Sequence, residues 1–246
     1  MLYLLFTADI PRRNSVTIAT FADDTAILSA NNCLAKATEN LQSTLDDISE
    51  WTKRWKIKIN ELKSVHVIYT LKKTQYQPVV INQRVVPRNN SARYLGMILD
   101  ARLTWKDHIR IKCTEIKLKQ RKMYWLIGRN SQLAIDNKLL LYNQILKPIW
   151  TYGAALWGCA SQTNRKKIQT TQNQILRIIV DAPWYVRNDI IHADLGVPTV
   201  NKVIQEIARK HENRLHNHPN EEAIQLLDNS EALRRLKRVK PYDLLI

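Results

Sequence analysis

The sequence predicts an α+β protein, in which a small antiparallel β-sheet packs against a long helix and an all-helical region follows. Two short β-prone runs flank a tight acidic turn between Val16 and Ala30. An apolar stripe at helical spacing then extends from residue 31 or 32 to about residue 57. From Leu103 onward the apolar residues keep helical spacing, so helices are expected in this part of the chain.

The acidic turn Phe21-Ala22-Asp23-Asp24 has two interpretations. Residues before it alternate between apolar and polar faces, which predicts a β-hairpin with Asp23 and Asp24 at its tip. Aspartate is common in ordinary solvated turns, because its side chain can bond the local backbone, and on the pattern alone this is the commoner outcome. Adjacent carboxylates on a rigid hairpin can also hold a hard divalent cation such as Mg²⁺.

The long helix after the hairpin is predicted from one apolar face, with Asn31 or Asn32 as its cap. The residues of that face are Leu34, Ala37, Leu41, Leu45, Ile48, Trp51 and Trp55. Three β-prone runs separated by polar turns come next, at Val65–Thr70, Val79–Ile81 and Tyr94–Leu99. Together these elements predict a sheet covered by one helix.

A second long helix is predicted over residues 105–127 from the face formed by Trp105, Ile109, Cys113, Ile116, Met123 and Ile127. Four cations lie beside that face in a stripe roughly 60° wide, namely Lys106, Arg110, Lys117 and Arg121. Such a stripe is either a solvated face or a surface that contacts nucleic-acid phosphates. Further helices are predicted at 136–150, 164–180 and 200–216, with Trp150, Trp157 and Trp184 packed between helices.

The charge of the chain indicates a polyanionic partner, most simply nucleic acid. The formal net charge is +16. Residues 1–50 hold 3 Lys and Arg against 7 Asp and Glu, whereas residues 51–150 hold 21 against 5. The three cysteines are widely spaced, which favours a reducing, intracellular compartment. The apolar start of the chain is too short to span a bilayer, so no membrane association is expected.

Several motifs in order resemble the reverse transcriptases of non-LTR, LINE-type retrotransposons, specifically the jockey-like group. The acidic turn at 21–24 resembles their catalytic turn, and residues 51–55 with 59–64 are similar to the helix and N-x-x-K-[ST] block that follow it. Residues 94–100, 103–105 and 108–109 are similar to the block that grips the primer and enters the thumb. Residues 152–158, 173–188 and 192–198 resemble the carboxyl-terminal region of the group, so the resemblance covers nearly the whole chain.

The resemblance implies a partial right-hand polymerase. Residues 1–101 would be part of the palm, with the catalytic hairpin on an antiparallel sheet; residues 102–130 would be the thumb helix, and residues 131–246 a helical carboxyl-terminal region. The implied activity is RNA-directed DNA synthesis. The implied partners are an RNA template, a DNA primer and deoxynucleotides, within a nuclear or cytoplasmic ribonucleoprotein.

The resemblance also implies roles for particular residues. In this chemistry two Mg²⁺ ions, about 3.5–4 Å apart, clamp the attacking hydroxyl and the leaving phosphate. Asp23 would be a metal ligand, and Asp24 its neighbour with a less direct role. Lys63 would lie near the departing pyrophosphate, although a surface lysine at a strand start explains it equally well.

Two further groups would contact the primer and the product. Tyr94, Leu95 and Gly96 would form the hairpin that positions the primer, although an ordinary β-turn would also explain the glycine. The stripe Lys106, Arg110, Lys117 and Arg121 would follow the backbone of the product duplex.

Two motifs of the resembling family do not occur in these 246 residues. They are the strand with another essential aspartate and the glycine-rich block that precedes the catalytic hairpin. Asp9 is no substitute, since it resembles an acid at a helix end before Pro11. We therefore expect a carboxyl-terminal portion of a reverse transcriptase with an incomplete two-metal site, inactive alone. The alternative is a non-catalytic nucleic-acid-binding remnant of a mobile element.

Overall fold

A computed structural model of the chain describes residues 9–71, 77–224, 227 and 244. The chain divides into two compact units, Met1–Leu103 and Thr104–Ile246. The first unit combines one long helix with short antiparallel strands, and the second is helical. The α+β class predicted from the sequence is confirmed. The apolar start of the sequence predicts a buried helix that ends at Pro11, and this segment falls largely on residues outside the described ranges.

The amino-terminal unit begins with the predicted β-hairpin. Strand β1 (Thr17–Phe21) pairs antiparallel with β2 (Asp24–Leu28), and the register places Phe21 opposite Asp24. The connection therefore has only two residues, Ala22 and Asp23. A two-residue loop is the tightest connection that hairpins commonly use, because its twist matches that of the strands.

The long helix α1 (Leu34–Arg54) follows the hairpin and ends close to the predicted position. The Asn31 side chain accepts a 2.9 Å hydrogen bond from the Cys33 amide just before the first turn. The Gln42 side chain bonds both backbone groups of Val80, accepting from its amide at 2.8 Å and donating to its carbonyl at 2.9 Å. These two bonds satisfy backbone groups of a strand residue that would otherwise remain unpaired.

Two apolar clusters form the core of this unit along α1. One contains Leu45, Val79, Ile81 and Val86, and the other contains Ile10, Ile48 and Trp51. Ile27 of β2 and Ile59 pack against both clusters. The predicted apolar face of α1 thus holds the acidic hairpin against the helix.

The remaining strands differ in part from the expectation. They form two further hairpins, the first of β3 (Val80–Ile81) with β4 (Arg84–Val85) and the second of β5 (Ser91–Tyr94) with β6 (Met97–Asp100). The predicted strand over Val65–Thr70 is wrong, since only a single bridge joins His66 to Arg88. The predicted strand over Tyr94–Leu99 is also wrong, because a turn at Leu95 and Gly96 divides it into the ends of β5 and β6.

The expected single sheet is replaced by three separate two-stranded sheets among the described residues. Each hairpin closes through a two-residue turn, so every pairing is local in sequence. Alternation of apolar residues predicts that a segment is extended, but it does not specify which segment pairs with it.

The carboxyl-terminal unit consists of helices joined by short turns. They are α2 (Lys106–Lys122), α3 (Tyr124–Ile127), α4 (Ile135–Leu141), α5 (Lys147–Thr151), α6 (Ala154–Trp157), α7 (Gln162–Val180), α8 (Asn188–Asp194), α9 (Val200–His216) and α10 (Glu221–Ile224). A π-helical turn, Tyr142–Leu146, joins α4 to α5. The helices predicted at 136–150, 164–180 and 200–216 are thus present, the first with a π-helical turn within it.

The core of this unit lies where α2, α7 and α9 meet the short helices. Ile109 and Ile116 of α2 are fully buried, as are Trp150 and Trp157. The predicted apolar face of α2 is therefore the buried face, and two of the three tryptophans expected between helices are there. Trp184 contradicts that expectation, because its side chain is 91% exposed. Within the described ranges, none of the helices is long and apolar enough to span a bilayer.

Candidate catalytic hairpin and nucleic-acid interface

The two carboxylates of the acidic hairpin project from its tip. Asp23 occupies the second position of the turn, and Asp24 is the first residue of β2. Both residues are exposed, and neither makes an ion pair with any described residue. Two neighbouring carboxylates without a cationic partner on the protein leave a negative charge that favours an added cation.

The turn of this hairpin contains a strained residue. Ala22 adopts the left-handed region with φ 51° at the first position of the two-residue loop. That position usually carries glycine, asparagine or aspartate, and an alanine there costs roughly 1–2 kcal/mol. Strained residues of this kind cluster at functional sites, where the surrounding structure holds them in place. Asn82 and Gln83 in the β3–β4 turn also have positive φ, so the strain alone does not decide between the metal site and the solvated turn.

The carboxylates fit part of a magnesium site. Mg²⁺ prefers oxygen ligands and binds through one or two carboxylates together with substrate phosphates, a role that Asp23 and Asp24 can fill. Among the described residues, however, no three His, Cys, Asp or Glu side chains come together. The described chain thus supplies two of the oxygen-bearing side chains that a pair of Mg²⁺ ions would need.

The hairpin of β5 and β6 lies beside the acidic hairpin. The Tyr94 hydroxyl donates a 3.4 Å hydrogen bond to the carbonyl oxygen of Ala19 in β1. Leu95 and Gly96 form the turn, both with positive φ, at 45° and 73°. Glycine accepts this conformation readily, whereas leucine does so only under strain. The structure therefore brings one of the three predicted primer-contacting residues against the strand that leads to the carboxylates.

Lys63 lies in a turn rather than at a strand start. The Asn60 carbonyl accepts hydrogen bonds from the Lys63 amide at 3.2 Å and the Ser64 hydroxyl at 3.0 Å, which closes the turn. The Lys63 side chain is exposed, and no described hydrogen bond or ion pair joins it to Asp23 or Asp24. Its predicted role at the pyrophosphate stays a prediction.

Asp9 is held by two tryptophans, one in α1 and one directly after it. The indole of Trp51 donates to one carboxylate oxygen at 3.0 Å, and the indole of Trp55 donates to the other at 3.1 Å. A carboxylate occupied in this way anchors the chain before Pro11 to the helix. This arrangement agrees with the expectation from the sequence that Asp9 does not replace the missing aspartate.

The four predicted phosphate-contacting cations all lie exposed on α2. They are Lys106, Arg110, Lys117 and Arg121. Only Arg110 has an acidic partner among the described residues, Asp107 at 3.3 Å. The other three charges are not offset by a described ion pair, so the stripe presents a positive surface along the helix.

Comparison with known proteins adds an independent observation. Residues 1–99 match the profile of a family described as reverse transcriptase (RNA-dependent DNA polymerase). Over its whole length the chain is 39% identical to a probable RNA-directed DNA polymerase from transposon X-element of Drosophila melanogaster. Over 99% of its length it is 38% identical to the RNA-directed DNA polymerase from mobile element jockey of Drosophila funebris. The chain is thus similar over nearly its whole length to RNA-directed DNA polymerases of mobile elements, and its residues 1–99 resemble the reverse transcriptase family.

The similarity covers a limited part of those relatives. The chain spans 27% of the X-element protein and 28% of the jockey protein. A probable RNA-directed DNA polymerase from transposon BS of Drosophila melanogaster is 35% identical over 97% of the chain, which spans 27% of that protein. No solved structure matches the chain. Reverse transcriptases generally use Mg²⁺, which is consistent with the donor atoms at the acidic hairpin.

Sequence reasoning missed one group of exposed residues. Trp125 is 73% exposed, Trp184 91% and Tyr185 69%. In the sequence these aromatic residues are indistinguishable from core residues, because each follows an apolar or helical segment. The proline and charged residues around Trp184 and Tyr185 were the available signal that this segment is a surface loop.

Proposed function

We propose that the chain is a carboxyl-terminal portion of an RNA-directed DNA polymerase of a non-LTR retrotransposon. In this proposal residues 1–101 form part of the palm, residues 102–130 the thumb helix and residues 131–246 a helical carboxyl-terminal region. The observation that carries the proposal is the pair of exposed carboxylates on a strained two-residue turn. The similarity to RNA-directed DNA polymerases over the whole chain supports it.

The chemistry of each residue follows from its position. Asp23 holds a metal ion through its carboxylate, and Asp24 adds negative charge beside it. Bound Mg²⁺ stabilises charge on the reacting phosphate oxygens. The turn of Tyr94, Leu95 and Gly96 positions the primer strand, with Tyr94 fixed to β1 through the Ala19 carbonyl. Lys63 offers a positive charge to the departing pyrophosphate.

The partners in this proposal are an RNA template, a DNA primer and deoxynucleotides. The four-cation stripe of α2 follows the phosphates of the product duplex, because such contacts depend on charge rather than on base sequence. A site with only two carboxylates positions the primer hydroxyl poorly, and positioning supplies most of the acceleration in phosphoryl transfer. The 246 residues alone are therefore expected to bind primed templates without extending them.

Primer extension tests the proposal directly. The chain alone, and the chain fused to the preceding polymerase segment of a relative such as the jockey protein, are supplied with primed RNA, Mg²⁺ and all four deoxynucleotides. The fusion should extend the primer and the chain alone should not. In the fusion Asp23→Asn should abolish extension, because the amide keeps the shape and removes the charge. Asp24→Asn should reduce extension less, and Lys63→Ala less again.

Asp46→Asn is the matched control, since Asp46 is an exposed aspartate of α1 that bonds Gln42 at 2.8 Å. It should leave extension unchanged. Extension by the unfused chain would contradict the incomplete site. If Asp23→Asn left extension by the fusion unchanged, the acidic hairpin would have no role in catalysis.

A second function is supported by the exposed cations of α2. A nucleic-acid-binding remnant needs this positive surface and does not need the carboxylates. In that case the fusion would fail to extend primers while the chain retained duplex binding. Primer extension by the fusion therefore distinguishes the two functions, since duplex binding is expected of both.

A further inference from the structure

Two pairs of adjacent aromatic side chains in the carboxyl-terminal unit face solvent. Trp184 and Tyr185 lie in the loop between α7 and α8, and Tyr124 and Trp125 begin α3. We call these four residues the aromatic surface. Trp150 and Trp157 of the same unit are buried, so the unit has places for tryptophan in its core. Exposing large apolar rings forgoes the stabilisation that burial gives, which suggests that they serve to bind something.

The loop that carries Trp184 and Tyr185 is held by Arg177 of α7. The Arg177 guanidinium donates to the Pro183 carbonyl at 3.0 Å, to the Val186 carbonyl and to the Asn188 side chain at 2.9 Å. One arginine side chain thus bonds both ends of the loop that projects the two rings. The rings meet edge to face, with centroids 6.0 Å apart and an interplanar angle of 80°. Their exposed faces are therefore presented by a braced loop.

Polar contacts connect this loop to the segment that follows α3. Arg129 lies 4.0 Å from the Asp181 carboxylate, three residues before Trp184. A side-chain hydrogen bond with Tyr124, together with the nearby Asp181 charge, raises the pKa of Arg129. The buried Lys138 ammonium donates a 3.0 Å hydrogen bond to the carbonyl of Gly128, which fixes the chain just before Arg129. Arg129 is therefore the link between the two halves of the aromatic surface.

The charges around these rings favour a polyanion. Arg121 and Lys122 immediately precede the first pair of rings, and Arg187 follows the second pair. With Arg129 they make four cations, whereas the neighbouring acids are Asp181 and Asp189, each near an arginine. Aromatic rings interleaved with cations suit single-stranded nucleic acid, whose bases stack while its phosphates pair with positive charge. A duplex buries its base faces within its own stack and cannot use such rings.

We propose that the aromatic surface is a stacking site for unpaired bases of single-stranded RNA. The choice of RNA rests on the proposed function, because an RNA-directed polymerase meets RNA as its single strand. The stacking itself does not depend on polymerase activity. Trp184 and Tyr185 supply two π-faces, Tyr124 and Trp125 supply two more, and Arg129 lies between the pairs. This site adjoins the four-cation stripe of α2 at Arg121, and it differs from the stripe in offering aromatic rings to bases as well as positive charge to phosphates.

The test measures binding by the full 246-residue chain to a labelled, unstructured RNA of about 12 nucleotides, by fluorescence anisotropy at several salt concentrations. Replacing Trp184 and Tyr185 together with leucine should weaken binding by at least about fivefold, since stacking is worth roughly 1–3 kcal/mol per base. The slope of log affinity against log salt should not change, because no cation is removed. Replacing both residues with phenylalanine should retain most of the affinity.

Two comparisons control for folding and for general binding. Tyr152→Leu removes a tyrosine that is 53% exposed on a different segment and should leave RNA affinity unchanged. Affinity for a duplex of the same sequence should be the same for the leucine variant and the unmodified chain. Far-ultraviolet circular dichroism should match between them, because neither replaced ring contributes to the core.

Three results would overturn the proposal. Equal RNA binding by the leucine variant and the unmodified chain would show that the rings do not stack on bases. A surface that binds another protein would give this result. An equal loss on RNA and duplex would show a role in general binding rather than in stacking. An unchanged affinity of the leucine variant for a single-stranded DNA of the same sequence would also contradict stacking, because DNA bases present the same faces to the rings. Since none of these measurements uses primer extension, they succeed or fail separately from the proposed polymerase function.

Discussion

The hydroxyl of Tyr94 donates a hydrogen bond of 3.4 Å to the carbonyl oxygen of Ala19, joining the β5–β6 hairpin to the acidic hairpin. Each hairpin has a residue other than glycine in the left-handed region at the first position of its turn, Ala22 in one and Leu95 in the other. Glycine or asparagine at these two positions would form the same turns with less backbone strain. The residues present therefore lower the stability of the fold. This cost is understandable if both turns hold substrate.

The first prediction concerns the bond between the hairpins. Tyr94→Phe should lower the free energy of unfolding of the amino-terminal unit by about 0.5 kcal/mol, because the bond is long and exposed. In the fused polymerase the same change should raise the KM for primer more than it lowers kcat, since the ring remains and only its position relaxes. Steady-state primer extension measures both constants. Tyr69→Phe, another tyrosine of the unit, is the control, and an unchanged primer KM would contradict a positioning role.

The second prediction concerns strain in the turn of the β5–β6 hairpin. Leu95→Asn should raise the free energy of unfolding by about 1 kcal/mol, because asparagine tolerates positive φ and Asn-Gly is the preferred pair for such turns. Urea denaturation followed by circular dichroism measures the change. Leu62→Asn, at a leucine that is 83% exposed and has no positive φ, should give no such gain. If Leu95→Asn destabilised the unit, the leucine side chain would contribute more by packing than it loses by strain.

The third prediction concerns the stripe of four cations on α2. Replacing Lys106, Arg110, Lys117 and Arg121 with glutamine should reduce the slope of log affinity against log salt on duplex DNA by roughly 3–4, at about 0.9 per phosphate contact. Arg110 should contribute least, because Asp107 already offsets part of its charge. Filter binding over a range of salt concentrations gives the slope.

The control removes four exposed cations of α9 instead, Lys202, Arg209, Lys210 and Arg214. This set changes the net charge by the same amount. An equal loss of slope in both variants would mean that total charge, rather than the α2 stripe, determines binding.

Elements whose contacts join residues close in sequence could be predicted from short sequence patterns. The acidic hairpin was predictable because its two-residue turn and alternating flanks lie within 12 residues, Thr17 to Leu28. The buried face of α2 was predictable because its apolar residues repeat at helical spacing, and Ile109, Ile116 and Ile127 are indeed buried. The positions of Asp23, Asp24 and the four cations on exposed surfaces followed from the same two patterns.

Elements that depend on distant contacts were not predictable in this way. The run at Val65–Thr70 has the composition of a strand, but only His66 finds a bridge partner, Arg88. The composition of the run Tyr94–Leu99 did not reveal its turn, because a leucine rarely adopts positive φ, and only the family resemblance predicted a hairpin at Leu95 and Gly96. The exposure of Trp184 depends on hydrogen bonds from Arg177, which lies seven residues earlier in the chain. No sequence pattern around Arg177 indicates that its side chain makes these bonds.

The last prediction concerns the pH dependence of the carboxyl-terminal unit. His108 is buried between Trp105 and Trp157, with ring centroids 6.1 and 6.4 Å from its own, and burial lowers its pKa to about 4, with a smaller contribution from Lys112.

In the unfolded chain His108 binds a proton near pH 6.5, whereas in the folded chain it does not. The contribution of this histidine to the free energy of unfolding is therefore fully present above that pH. The free energy of unfolding should fall by up to about 1.4 kcal/mol per pH unit as the pH drops toward 4. The destabilisation caused by His108→Gln should therefore be largest at about pH 7.5 and should decrease steadily as the pH is lowered to about 5. Urea titrations at each pH measure it. A His108→Gln effect that is constant with pH would mean that this histidine takes up its proton in the folded state as well.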